Sequence, residues 1–150
     1  MSLVKHFLSH RTVTNDLVAK IEEDNYGYKP TETSMSAQKL VTHMYTSYYQ
    51  FVKTVKEGNS SPFLEKLDES EKSLIQIGEE YTEKTKDLLA SLTEEELNRE
   101  IDMTKVFGIN VTGHFMVGMA LEHEIHHKGN LFVYVREMGH TKLPLFINMK

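Results

Sequence analysis

The chain has no cysteine and no tryptophan among its 150 residues, and only three prolines. Without cysteine there is no disulfide framework, no cysteine-ligated zinc site, no iron–sulfur cluster and no thiolate nucleophile. Long apolar runs are missing too. None approaches the roughly 18 residues that a membrane span requires, and the first ten residues are too broken in pattern to form a signal-peptide core. The cytoplasm is therefore the expected compartment. Positive charge is in deficit, with Lys+Arg 17 against Asp+Glu 22 and a net charge of -5. Long-range attraction to nucleic acid or to an anionic membrane is not expected. What the chain does have is histidine, eight of them, and this is the side chain most suited to metal ligation and to proton transfer near neutral pH.

A chain of 150 residues fits one domain, expected over 1–150, and is long enough to bury roughly 68–70% of its unfolded surface without staples. Pro30, Pro62 and Pro144 fall among turn-formers or beyond the last helical pattern, so they punctuate rather than interrupt. Between them the apolar period is helical. Leu3, Phe7, Val13, Leu17 and Ile21 mark a first helix over about 3–23. A second spans about 37–57, with Ser36 as N-cap and a stripe through Val41, Met44, Tyr48 and Val52. A third spans about 70–91, with Leu74, Ile77, Tyr81, Thr85 and Leu88 in register. Thr93 followed by Glu96 resembles a capping box and predicts a short helical turn over 93–99. A fourth helix covers about 111–138, with Gly139 at its C-terminal end. Strand signal is confined to a short extended piece near 101–106. Four helices joined by long connections predict an all-α four-helix bundle with at least one crossover.

The fourth helix carries Glu122-His123-Glu124-Ile125-His126-His127-Lys128-Gly129-Asn130. His123 and His127 lie four apart, about 40° around the helix axis from each other, which suits two imidazoles sharing one ion. They share their face with Met116, Met119, Ala120, Leu131 and Tyr134, an inward-looking stripe on which unpartnered polar groups would be costly. His43, at the edge of the second helix's stripe beside Leu40 and Phe51, is the best third ligand. Three neutral imidazoles suit a divalent zinc, nickel or other late first-row ion. The same letters spell H-E-x-x-H, in which Glu124 would be the base of a metalloprotease. Asn130 stands where the longer metzincin pattern wants glycine, and no strand is predicted to hold a peptide. Glu124 is therefore expected to be a surface carboxylate or a support to the ligands. His6 and His10 form a second HxxxH pair, expected to be only partly buried near the terminus, with lining of the site from the first helix as the weaker alternative. His126 points about 60° away from the ligand face, and His114 and His140 are expected to be solvated. A second apolar face, Val117, Leu121, Ile125, Phe132 and Val135, is either covered by other helices or forms a subunit interface.

The run from Glu122 to Leu131, followed by Tyr134-Val135-Arg136-Glu137-Met138-Gly139, resembles the last helix of the DinB-like family, with its H-x-x-x-H-[RK]-G-Q pattern. His43 matches the position of that family's first ligand, and Asn130 replaces the usual glutamine. The resemblance implies an up-down-down-up bundle, one metal ion on His43, His123 and His127, and homodimers. It also implies a metal-dependent enzyme that activates water or a low-molecular-weight thiol against a small electrophile, as an S-transferase or a hydrolase. Asn130, Tyr134, Tyr45 or His10 would orient the cosubstrate. The alternative is a metal-stabilised binding or stress-response module without turnover.

Overall fold

The computed structural model describes all 150 residues. Four long helices dominate: α1 (Leu3–Val18), α2 (Ala37–Glu57), α4 (Leu74–Ser91) and α7 (Gly113–Glu137). Between them lie short helices α3 (Ser61–Leu64), α5 (Glu94–Asn98) and α6 (Thr104–Phe107), and strands β1 (Glu100–Met103) and β2 (Ile109–Thr112). The starts of the long helices are set by hydroxyl caps, which accept from backbone N–H groups that have no partner inside the helix. Ser2, Ser36, Ser73 and Thr112 accept from the N–H groups of Lys5, Lys39, Gln76 and Phe115. At the other end, α2 stops at Gly58, whose φ of 78° is left-handed.

The core has two halves, and their membership fixes the direction of every helix. One half joins the C-terminal part of α1 (Val13, Leu17) to the first half of α2 (Leu40, Met44), the start of α4 (Leu74, Ile77) and the end of α7 (Leu131, Val135). The other joins Phe7 to the second half of α2 (Tyr48, Val52), the end of α4 (Leu89) and the start of α7 (Met116, Ala120). Thus α1 and α7 run one way and α2 and α4 the other, giving up-down-down-up. Each of α2 and α1 packs against both α4 and α7. The parallel pair α2 and α4 needs a connection that returns the whole length of the bundle, and residues 58–73 supply it. No helix is long and apolar enough to cross a membrane.

Four boundaries differ from expectation. α1 ends at Val18 rather than near Glu23, because Lys20 and Ile21 donate to Leu17 and Val18 in tight three-residue turns. Ile21 is still buried, so the apolar stripe outlives the helix. α4 starts at Leu74 rather than at Ser70, since Ser73 and Gln76 form a reciprocal capping box. Val111 belongs to a strand and not to the fourth helix. β1 and β2 pair antiparallel, Ile101 opposite Val111, and the expected extended piece therefore stops at Met103 and gains a partner. This hairpin buries Ile101 and Met103 and closes one end of the core.

Candidate metal centre

His43 lies in the first half of α2, between Leu40 and Met44 of one core half and just over one turn before Tyr48 of the other. His123 and His127 face it from α7, across the seam where the two helices pack. The Nε2 atom of His123 stands 3.1 Å from Nε2 of His43 and 3.1 Å from Nε2 of His127. A ligand atom from each of the three falls within 4.8 Å of the others. The rings meet edge to face, at 77° to 85°, so they converge on a point instead of stacking. His123 and His127 are half-buried, while His43 is the most open of the three.

Burial pushes His123 and His127 down to about 4, with neighbouring imidazoles adding to the effect, and burial also lowers His43. All three are therefore neutral at pH 7 and offer lone pairs. One proton on His123 Nε2 can bridge to only one of its two neighbours, whereas a single cation satisfies all three nitrogens together. At zinc–nitrogen bonds of 2.0–2.1 Å, two ligands of a tetrahedral site stand about 3.3–3.4 Å apart. The 3.1 Å separations are close to that edge. The cluster can therefore hold a metal ion. Away from it, Ser47 Oγ lies 3.2 Å from His43 Nδ1, the second contact by which a ligating histidine is usually oriented. His127 Nδ1 is buried and has no such partner.

The triad sits between two clefts. One, of about 330 Å³, is bounded by His127, Asn130 and Tyr134 of α7 and by Met35 and Pro30 of the α1–α2 connection. The other, of about 490 Å³, lies against His43 on the side of the α2–α4 crossover. Asn130 and Tyr134 are thus beside the triad as expected, with the Tyr134 hydroxyl donating to Met35 O. Tyr45 and His10 are not. Tyr45 is buried against α4 and donates its hydroxyl to Asn15. His10 contacts Lys128 instead.

Glu124 corrects the sequence reading most sharply. It is neither a surface carboxylate nor a support hydrogen-bonded to the three histidines. Arg11 Nε donates to Glu124 Oε2 at 2.6 Å and Nη2 to Oε1 at 3.3 Å, and the two residues are 0% and 1% exposed. The guanidinium lies over Phe7 and Tyr45 at 4.7 and 4.9 Å. Next along, Lys128 is buried between His10 Nδ1 and the carbonyl of Phe146 in the C-terminal segment. Burial lowers Lys128 to about 8. α7 therefore presents two polar pairs one residue out of phase. His123 and His127 face α2, while Glu124 and Lys128 face α1. A one-stripe reading misses the second pair, because α7 is covered on both sides. The available signal was Arg11 itself, in register with Phe7, His10, Thr14 and Leu17 on the buried face of α1.

The remaining histidines behave more simply. His6 and His126 are exposed, and His114 stands exposed 3.9 Å from Glu94. His140 is only partly buried. On the second apolar face Val117 and Val135 are buried in the core, Leu121 and Phe132 are partly covered, and Ile125 is exposed.

The comparisons with known proteins agree with this architecture. The profile of the DinB family matches residues 1–148. The uncharacterised protein YjoA of Bacillus subtilis strain 168 is 59% identical over 144 residues, covering 96% of this chain and 94% of its own. The crystal structure of the DinB-like protein YjoA from Bacillus subtilis superimposes with a TM-score of 0.90 at 57% identity, covering 97% of this chain and 98% of that one. A DinB-like protein from Bacillus cereus ATCC 10987 shares the fold at a TM-score of 0.74 and 15% identity, over 95% of this chain and 93% of that one. By fold, profile and identity, this chain belongs to the DinB family.

Proposed function

We propose that His43, His123 and His127 bind one divalent transition-metal ion, zinc or nickel, and that the protein is a metal-dependent enzyme acting on a small electrophile. The nucleophile is a low-molecular-weight thiol or water. The observation that carries this reading is the convergence of three neutral Nε2 atoms at the junction of two clefts. When bound, such an ion supplies Lewis-acid polarisation and lowers the pKa of a thiol or water beside it. The chain's own part is orientation. Ser47 fixes the His43 ring through Nδ1, and Asn130 and Tyr134 present an amide and a ring to the cleft beside His127. The chain contains no cysteine, so any sulfur nucleophile comes from a cosubstrate.

Glu124 is committed to Arg11, so it does not serve as a general base at the triad. That observation favours one second reading, a metal-stabilised binding module without turnover. The experiment is transfer of a thiol to monochlorobimane or to an epoxide by zinc- or nickel-loaded protein. The enzyme reading expects metal-dependent turnover that is lost in His123→Ala and kept in His114→Ala. Metal-loaded protein inert toward a panel of thiols and esters supports the binding module. We propose also that the protein forms a homodimer through the outer face of α7, where Ile125 is 40% exposed. A mass of 17.4 kDa by light scattering at micromolar concentration would contradict it.

A further inference from the structure

The cleft against His43 differs in character from the one against His127. Its walls are Lys39, Thr42, His43 and Thr46 of α2, with Asp68 and Ser70 of the crossover among the facing residues. A single apolar side chain, Leu67, contributes to it. The other cleft has four apolar residues, among them Met35 and Val133.

Two charges in the polar cleft are uncommitted. None of the chain's ion pairs uses Lys39 or Asp68. The neighbouring carboxylate, Glu69, is already taken. It pairs with Lys72 at 2.6 Å and accepts from the Tyr81 hydroxyl. Asp68 Oδ1 accepts from the Ser70 backbone N–H, and the Ser70 hydroxyl also bonds to the carboxylate, so Ser70 orients Asp68 without neutralising it. Lys39 precedes His43 by four residues, so both project from one face of α2, separated by about 6 Å of helical rise. A cation and an anion thus flank a cleft that ends at the triad.

We propose that this cleft recognises a small zwitterion of amino-acid type, with Lys39 taking its carboxylate and Asp68 its ammonium, and its side chain directed to the triad. This deepens the reading of the triad as a metal seat and rests on it. It makes Lys39 and Asp68 specificity-determining residues and assigns the apolar cleft beside His127 to the electrophile. Such recognition selects among nucleophiles by the groups they carry away from the reacting atom. Charge-assisted hydrogen bonds of this kind are each worth about tenfold or more in affinity.

The test uses zinc-loaded, ¹⁵N-labelled full-length protein titrated with L-serine, ethanolamine and 3-hydroxypropionate, reading the amides of Thr42, Thr46 and Ser70. L-serine is expected to bind more tightly than either fragment. Lys39→Met should weaken L-serine and 3-hydroxypropionate about tenfold and leave ethanolamine unchanged. Asp68→Asn should weaken L-serine and ethanolamine about tenfold and leave 3-hydroxypropionate unchanged. Both side chains are exposed, so neither variant threatens folding. No shift of these amides with L-serine, or equal affinity in both variants, overturns the proposal. Cobalt-loaded protein titrated with L-cysteine then tests the thiol reading separately, through the cobalt–thiolate absorption band. Serine binding without that band sustains the zwitterion cleft and removes the thiol.

Discussion

Replacing Glu124 with alanine would strand a guanidinium inside the bundle. Arg11 is 0% exposed, its Nη1 already lacks a hydrogen-bond partner, and three aromatic rings enclose it. Removing one member of a buried, hydrogen-bonded pair costs about 3–5 kcal/mol, because the remaining charge keeps its desolvation penalty and loses its compensation. Domains of this size have a total stability of about 5–15 kcal/mol, so the change is a large fraction of the whole. At ~2–4 °C per kcal/mol the melting temperature should fall by roughly 6–20 °C. Urea unfolding of metal-free protein, followed by far-UV circular dichroism, measures the loss without interference from the triad. The double variant Arg11→Met with Glu124→Leu removes both charges and fills much of the same volume. It should be more stable than Glu124→Ala alone, since no charge is left unpaired. A Glu124→Ala protein within about 1 kcal/mol of the parent would refute the reasoning, as would a double variant whose loss equals the sum of the single losses.

Stability should also depend on pH through His10, which burial, the Lys128 charge and His6 together lower to about 4. In the unfolded chain this histidine takes its proton near 6.5, while the native state refuses it until about 4, so stability is complete above 6.5 and lost as pH falls through that window. The loss reaches up to ~2 kcal/mol by pH 5, and urea titrations should show His10→Gln with a flatter pH profile; identical profiles would contradict this. Gly78→Ala should destabilise by about 1–3 kcal/mol, because a Cβ there would lie 2.7 Å from the buried Tyr45 hydroxyl. Gly118→Ala meets nothing within 4 Å and should stabilise α7 by ~0.5–1 kcal/mol, so thermal melts of the two variants should move in opposite directions. Ser47→Ala frees the His43 ring and should weaken zinc affinity by roughly 10-fold in a chelator competition, with the unfolding midpoint of the metal-free protein little changed.

The long helices were legible because their two signals coincide. Ser36 caps α2 where its apolar stripe begins, and Gly139 takes a φ of 100° just after α7 ends. The clustering of His43, His123 and His127 was legible because helical spacing alone puts two of them on one face, and the second helix offers one histidine at the edge of its stripe. The misses share a cause, which is that burial is a property of the assembled bundle. Ile21 keeps the apolar period after the backbone has left the helix. Val111 reads as helix until Ile101 pairs with it. Glu124 and Lys128 look like solvated charges until α1 brings Arg11 and His10 against them. Charge alone would leave Glu124 in water, and it takes a guanidinium 113 positions away in the chain to hold it inside.

The central claim is that His43, His123 and His127 act together on one metal ion. Metal analysis of the purified protein by inductively coupled plasma mass spectrometry tests it most directly, on the parent and on His43→Ala, His127→Ala and the control His114→Ala. Close to one divalent transition metal per chain is expected in the parent and in the control. A sharp fall is expected in the other two, one a change on α2 and the other on α7. Metal content unchanged by either of those substitutions would contradict the claim.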